Sequence, residues 1–246
     1  MASTFYYSAP AFADTSPSPS VAPKLSKTSS QSKCIDFTGI TTGPGETADC
    51  AVSEFGSLGI FNGQTYHYSI YCLIPAYSIP EGGCRSDTFN AQFHKARAMA
   101  IFVNDGRSDT VSLLLKRAEE EIGLVWYEKP EIIKNPYGTF LYIPVHLDGT
   151  GAGNSSEYFI WDKKSKSWQT FDTKSWLDEI NPLAGLSINK GIWPDLKKMS
   201  AEAYLYRKND ANCCPTGGKI NIRLTIMNGC LAVKSTRINI SLETQQ

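Results

Sequence analysis

Apolar and polar residues alternate with a period of two over much of this chain, a pattern that predicts strands. Two such runs, Phe55–Phe61 and Thr65–Ile74, flank Asn62-Gly63, a dipeptide whose residues tolerate the positive φ of a two-residue hairpin turn. In the second run Tyr66, Tyr68, Ile70 and Cys72 share one face. The apolar stretch Ala98–Val103 reads as a buried strand ending at the turn Asn104-Asp105-Gly106. The pattern then changes. Val111, Leu114, Leu115, Ala118 and Ile122 recur at helical spacing, with Ser108 or Asp109 as a cap and Gly123 as a left-handed stop, so a helix is predicted. Leu124–Tyr127 and Thr139–Leu147 return to strand, which makes this the one strand–helix–strand unit in the chain.

Farther on, Glu157–Trp161 and Trp168–Phe171 flank a turn rich in lysine (Lys163, Lys164, Lys166). Ser175 and Asp178 have capping-box-like spacing, so a helix of about two turns is expected to start at Ser175 and stop before Pro182. In Ala201–Arg207, Ala201, Ala203 and Leu205 should point inward and Glu202, Tyr204 and Tyr206 outward. Ile220–Ile226 and Leu231–Val233 flank Asn228-Gly229, the strongest hairpin signal present. The resulting expectation is an α+β fold, mostly antiparallel sheet with one or two helices, preceded by a small disulfide-braced β module. Three segments are predicted: a tether over 1–33, the cysteine-containing module over 34–88 and the α+β domain over 89–246.

Composition adds a compartment to this outline. Four of the seven cysteines, Cys34, Cys50, Cys72 and Cys84, fall in the first module, which is too short to hold together on core burial alone. Staples there imply an oxidising location. Pairing between neighbours, Cys34 with Cys50 and Cys72 with Cys84, is the expected arrangement. Met227 and Cys230 meet at one end of the last hairpin, while Cys213 and Cys214 precede the other end. That separation is on the order of 20 Å, against the roughly 7 Å that a disulfide spans. A vicinal Cys213–Cys214 bond, or a link from one of them to the first module, follows; an odd number of cysteines leaves one thiol over.

Ala11-Phe12-Ala13 has the small residues of a signal-peptidase site, but the ten residues before it carry no Lys or Arg. The stretch is therefore read as the remnant of a signal peptide whose start lies upstream, followed by a Ser/Pro-rich tether containing Pro17, Pro19 and Pro23. A periplasmic or secreted location is expected. Net charge is zero at pI 6.8 and the basic residues are dispersed, which argues against nucleic acid as a partner. No apolar run approaches the length of a membrane span.

The strings Gly149-Thr150-Gly151-Ala152-Gly153-Asn154, Ser175-Trp176-Leu177, Lys190-Gly191-Ile192-Trp193-Pro194-Asp195 and Asn212-Cys213-Cys214-Pro215-Thr216-Gly217-Gly218 together resemble a group of uncharacterised exported bacterial proteins. The resemblance covers roughly residues 98–237. It implies bacterial export and carries no catalytic residues with it.

Candidate chemistry is sparse. The glycine string lies between two predicted strands and lacks the helix and Lys-Ser/Thr ending of a phosphate loop, so it reads as a wide hairpin loop; Asp148 and Asn154 at its ends are candidate binding residues. His67, His94 and His146 belong to no metal or catalytic motif, and no cofactor is implied. Trp161, Trp168, Trp176 and Trp193 fall within 33 residues and are candidates for an aromatic platform for protein, peptide or glycan. Three functions are consistent with this: a non-enzymatic exported binding module of the bacterial envelope, which is favoured; a periplasmic hydrolase with a site assembled near His146; and a thiol-based redox protein using Cys213-Cys214.

Overall fold

The computed structural model describes residues 24–26, 33–37, 47–75, 98–106, 108–118, 125–147 and 155–240. Within them the chain forms fifteen strands. The first nine are β1 (Lys24–Ser26), β2 (Thr47–Phe61), β3 (Gln64–Pro75), β4 (Ala98–Asn104), β5 (Thr110–Ala118), β6 (Val125–Tyr127), β7 (Glu131–Asn135), β8 (Gly138–Ile143) and β9 (Val145–Leu147). The rest are β10 (Glu157–Asp162), β11 (Ser167–Thr170), β12 (Leu186–Ser187), β13 (Ser200–Arg207), β14 (Gly218–Met227) and β15 (Cys230–Asn239). All named pairings are antiparallel.

The α+β expectation is overturned: the fold is essentially all β. The predicted helix over 108–122 is strand β5 as far as Ala118. A bulge produced the misleading spacing. Ile101 pairs with Leu115 and Phe102 with Leu113, which leaves Leu114 as the extra residue. One inserted residue shifts the period-two pattern by one position, so Val111, Leu114, Leu115 and Ala118 imitate the i, i+3, i+4, i+7 rhythm of a helix. Ile122 and Gly123 lie outside the described residues. The second predicted helix is a single 3-10 turn, Ser175–Glu179. Strand β3, in the cysteine-containing segment, pairs with β4 beyond residue 88.

The strands make three four- or five-stranded sheets and one small ribbon. The first sheet has the order β1-β5-β4-β3-β2, the central sheet β11-β10-β8-β7 and the C-terminal sheet β12-β13-β14-β15; β6 and β9 form the ribbon. Alternation along the central strands sends residues into two different cores. Ile133, Phe140 and Tyr158 join Ala203, Leu205, Ile220, Ile222 and Trp176 against the C-terminal sheet. Their sequence neighbours Ile132, Leu141 and Phe159 join Tyr66, Tyr68, Ile70, Met99 and Ile101 against the first sheet. The central sheet is thus apolar on both faces and is the middle of three layers.

The outer face of the first sheet carries a third cluster, in which Phe37 packs edge-on against Tyr71 with ring centroids 5.1 Å apart. A disulfide between Cys34 and Cys50 holds this covering segment to β2. Cys72 is also disulfide-bonded, and Cys84 lies outside the described residues.

Both hairpins signalled by Asn-Gly form. Asn62 and Gly63 have φ of 50° and 74°, and Asn228 and Gly229 of 52° and 81°, the two consecutive positive values of a type I′ turn. Tyr206, expected outward, is buried, and its hydroxyl donates to the Asn212 carbonyl at 3.1 Å. The first half of the β15 edge is covered as well: Leu231 N–H donates to the Asp172 carbonyl and Val233 N–H to Glu179 Oε2.

Candidate functional site: an aromatic cluster between two sheets

Two tight turns from different layers bring a group of rings together. In the hairpin of β10 and β11, Trp161 and Trp168 are directly paired across the strands. Their side chains therefore share the face turned toward the first sheet. The connecting turn is fixed by Asp162, whose carboxylate accepts from Lys164 N–H at 2.9 Å, Ser165 N–H at 3.2 Å and Ser165 Oγ–H at 2.8 Å. Those bonds, the Lys164 N–H first, hold the Asp162 carboxyl below the usual range. From the opposite side, Asn62-Gly63 ends β2 and places Phe61 against the two indoles.

The ring centroids of Phe61 and Trp161 are 5.2 Å apart, those of Phe61 and Trp168 5.5 Å, and those of Trp161 and Trp168 5.3 Å. Two of the three contacts are edge-to-face, a geometry that the ring quadrupole favours. All three rings are only half-buried. Beneath them Tyr66 is fully buried and its hydroxyl accepts a hydrogen bond from Trp168 Nε1 at 3.4 Å. Burial raises the Tyr66 pKa, and the Trp168 bond offsets part of that rise. At the rim, the Lys134 ammonium on β7 stands 5.8 Å from the Phe61 centroid, within cation–π range. The cluster thus presents partly exposed aromatic surface with a lysine ammonium at its rim.

The other two tryptophans of the expected platform, Trp176 and Trp193, do not join it. Trp176 is completely buried in the C-terminal core, where its Nε1 donates to the Thr173 carbonyl at 2.6 Å. Trp193, 38% exposed, lies between Ile192 and Leu196, both buried in that same core. Asp148 and Asn154 lie outside the described residues. Phe61 and Lys134 had not been singled out in the sequence. The placement of Phe61 beside an Asn-Gly turn, where an apolar residue has no local reason to be, is the only signal that pointed to it.

His146, on β9, lies in the open. Its ring stacks on Trp126 at 5.4 Å and its Nε2 is 3.3 Å from Glu128 Oε1, with both side chains substantially exposed. Among the described residues no group of three or more His, Cys, Asp or Glu side chains is placed to hold a metal ion, and no helix is long and apolar enough to cross a membrane.

Cys213 and Cys214 form a vicinal disulfide and Cys230 is an exposed free thiol. No protein-family model matches the chain, and no curated protein matches it significantly.

Proposed function

We propose that this chain is a non-enzymatic binding module that works outside the cytosol, in the bacterial envelope or beyond it, and takes its ligand on the Phe61–Trp161–Trp168 cluster. The observation that carries the reading is the convergence of three half-buried rings from two separate layers, with Lys134 at the edge. Trp176, by contrast, is completely closed over. The disulfide at Cys34–Cys50 supports the oxidising location.

The chemistry of the cluster favours a ligand with a flat C–H-rich face and an anionic group, as acidic sugars have. The face would lie on the indoles and the anion would pair with Lys134. Tryptophan fluorescence during titration with oligouronides and with their neutral counterparts tests this. A saturable change with the acidic series is expected. It should be lost in Trp161→Ala, and in Lys134→Ala the preference for acid over neutral sugar should disappear. No saturable response to either series would overturn the reading.

A further inference from the structure

The vicinal disulfide cross-links nothing beyond its own dipeptide. In the chain-entropy account a disulfide's stabilisation grows with the logarithm of the length of unfolded chain it closes and is smallest for adjacent residues. Cys34–Cys50 spans 16 residues and Cys213–Cys214 spans one, so the second bond removes almost no freedom from the unfolded state.

The loop that carries it is already fixed by other means. Asp210 Oδ2 accepts from Arg207 N–H at 2.7 Å and from Thr216 N–H at 2.8 Å, and its Oδ1 accepts from Thr216 Oγ1–H at 2.7 Å. Cys214 N–H closes a turn onto the Ala211 carbonyl at 2.9 Å, and Gly217 N–H reaches the Leu205 carbonyl at 2.8 Å. Tyr206 holds Asn212 from below. None of these anchors runs through the sulfur atoms.

Both cysteines are exposed. Beside them, Pro215 of the same loop forms one wall of a shallow recess of about 340 Å³, completed by Tyr204, Gly218, Lys219, Asn239 and Ile240. Tyr204 and Ile240 present apolar surface there, half of each exposed. An accessible bridge that closes no loop, beside a recess lined by Tyr204 and Ile240 together with Lys219 and Asn239, is arranged for chemistry at sulfur. Exposed disulfides are the labile and regulatory ones.

We propose that Cys213–Cys214 is a reversible thiol–disulfide exchange site, reduced by a dithiol-bearing protein that docks over the Tyr204–Ile240 recess. The thiolate of that dithiol attacks one sulfur; the S–S bond breaks and the other cysteine leaves as a thiolate, which takes up a proton. The reductant's second thiol, once deprotonated, attacks the mixed disulfide and releases the remaining cysteine. Two electrons and two protons pass to the cystine, and the partner becomes a disulfide. The loop keeps its place in both states. This site lies on the C-terminal sheet and is independent of the aromatic cluster.

The test uses the full chain carrying Cys230→Ser, so that no free thiol shuffles the bridges. The protein is incubated with graded dithiothreitol, alkylated and mapped by mass spectrometry, with far-UV circular dichroism on the same samples. Cys213 and Cys214 should become alkylated at about tenfold less dithiothreitol, or lower still, than Cys34 and Cys50. The spectrum should not change, and the bridge should re-form with oxidised glutathione. Opening only together with Cys34–Cys50, or only with loss of the spectrum, overturns the proposal. So does a substantial loss of thermal stability in Cys213→Ser/Cys214→Ser, because the bond would then be structural.

Discussion

At the scale of single residues, the loop around the vicinal disulfide depends on Gly217 and Asp210. A Cβ on Gly217 would sit 2.7 Å from the Leu205 carbonyl oxygen and 2.8 Å from Leu186 Cδ2. The first of these atoms is backbone and cannot swing aside. Gly217→Ala should therefore destabilise by about 1–3 kcal/mol, the range for overpacking, measured by urea denaturation. At Gly56 the clash is instead with the Tyr68 ring at 2.7 Å, the end of a side chain whose hydroxyl donates to Glu54 Oε1 at 2.5 Å. Burial first and then Glu54 push the Tyr68 pKa up to about 12, so this tyrosine stays protonated and donating at any physiological pH. Asp210 gives a pH signature. Its hydrogen bonds, from the Thr216 side chain first, then Thr216 N–H and Arg207 N–H, lower its folded pKa. A lowered folded value means that its contribution is full above the ordinary carboxylate pKa of about 4. It is lost as pH falls through the folded value. Asp210→Ala should thus melt below the parent at neutral pH, and the gap in Tm should close as pH is taken down below that of a normal aspartate.

Among the elements, local signals were legible and those depending on strand pairing were not. The two Asn-Gly hairpins could be read because a type I′ turn is decided by the two residues that occupy it. Strand β5 could not, since the bulge at Leu114 exists only because β4 sets the register opposite it. The turn at Ser175–Glu179 stops short of a helix because its work is tertiary: Trp176 anchors it in the core and Glu179 caps Val233 on β15. The candidate cluster divides in the same way. Trp161 and Trp168 stood out by their clustering, whereas Phe61 and Lys134 reach them only by contact across layers. The covering segment over the first sheet is tied down by Cys34–Cys50 and by Lys116, whose ammonium donates to the Asp36 carbonyl. Replacing both cysteines by alanine should cost about 2–3 kcal/mol, the value for a loop of this length, as a shift of the denaturation midpoint. The same replacement at Cys213 and Cys214 should leave that midpoint nearly unchanged.

For the molecule as a whole, the decisive feature is that adjacent residues of the central sheet belong to different cores. Phe140 and Leu141 are neighbours in β8, both essentially inaccessible to solvent, one packed with the C-terminal sheet and the other with the first. Arg117 on β5 adds a polar tie, its Nε lying 2.9 Å and 3.0 Å from the two carboxylate oxygens of Glu157 on β10. On the other side Asn135 Nδ2 donates to the Leu196 carbonyl at 2.8 Å. An outer layer cannot leave without exposing one face of the middle sheet, and that sheet has no polar face to offer water. The layers should therefore unfold together. Phe140→Ala should destabilise by about 3–5 kcal/mol and Leu141→Ala by about 2–5 kcal/mol, although the two cavities open on opposite sides. In both variants the urea transition followed by tryptophan fluorescence, which reports on Trp176 in one core and on Trp168 beside the other, should coincide with that followed by far-UV circular dichroism. Separated transitions in either variant would mean that the layers are independently stable, with the middle sheet a spacer between them.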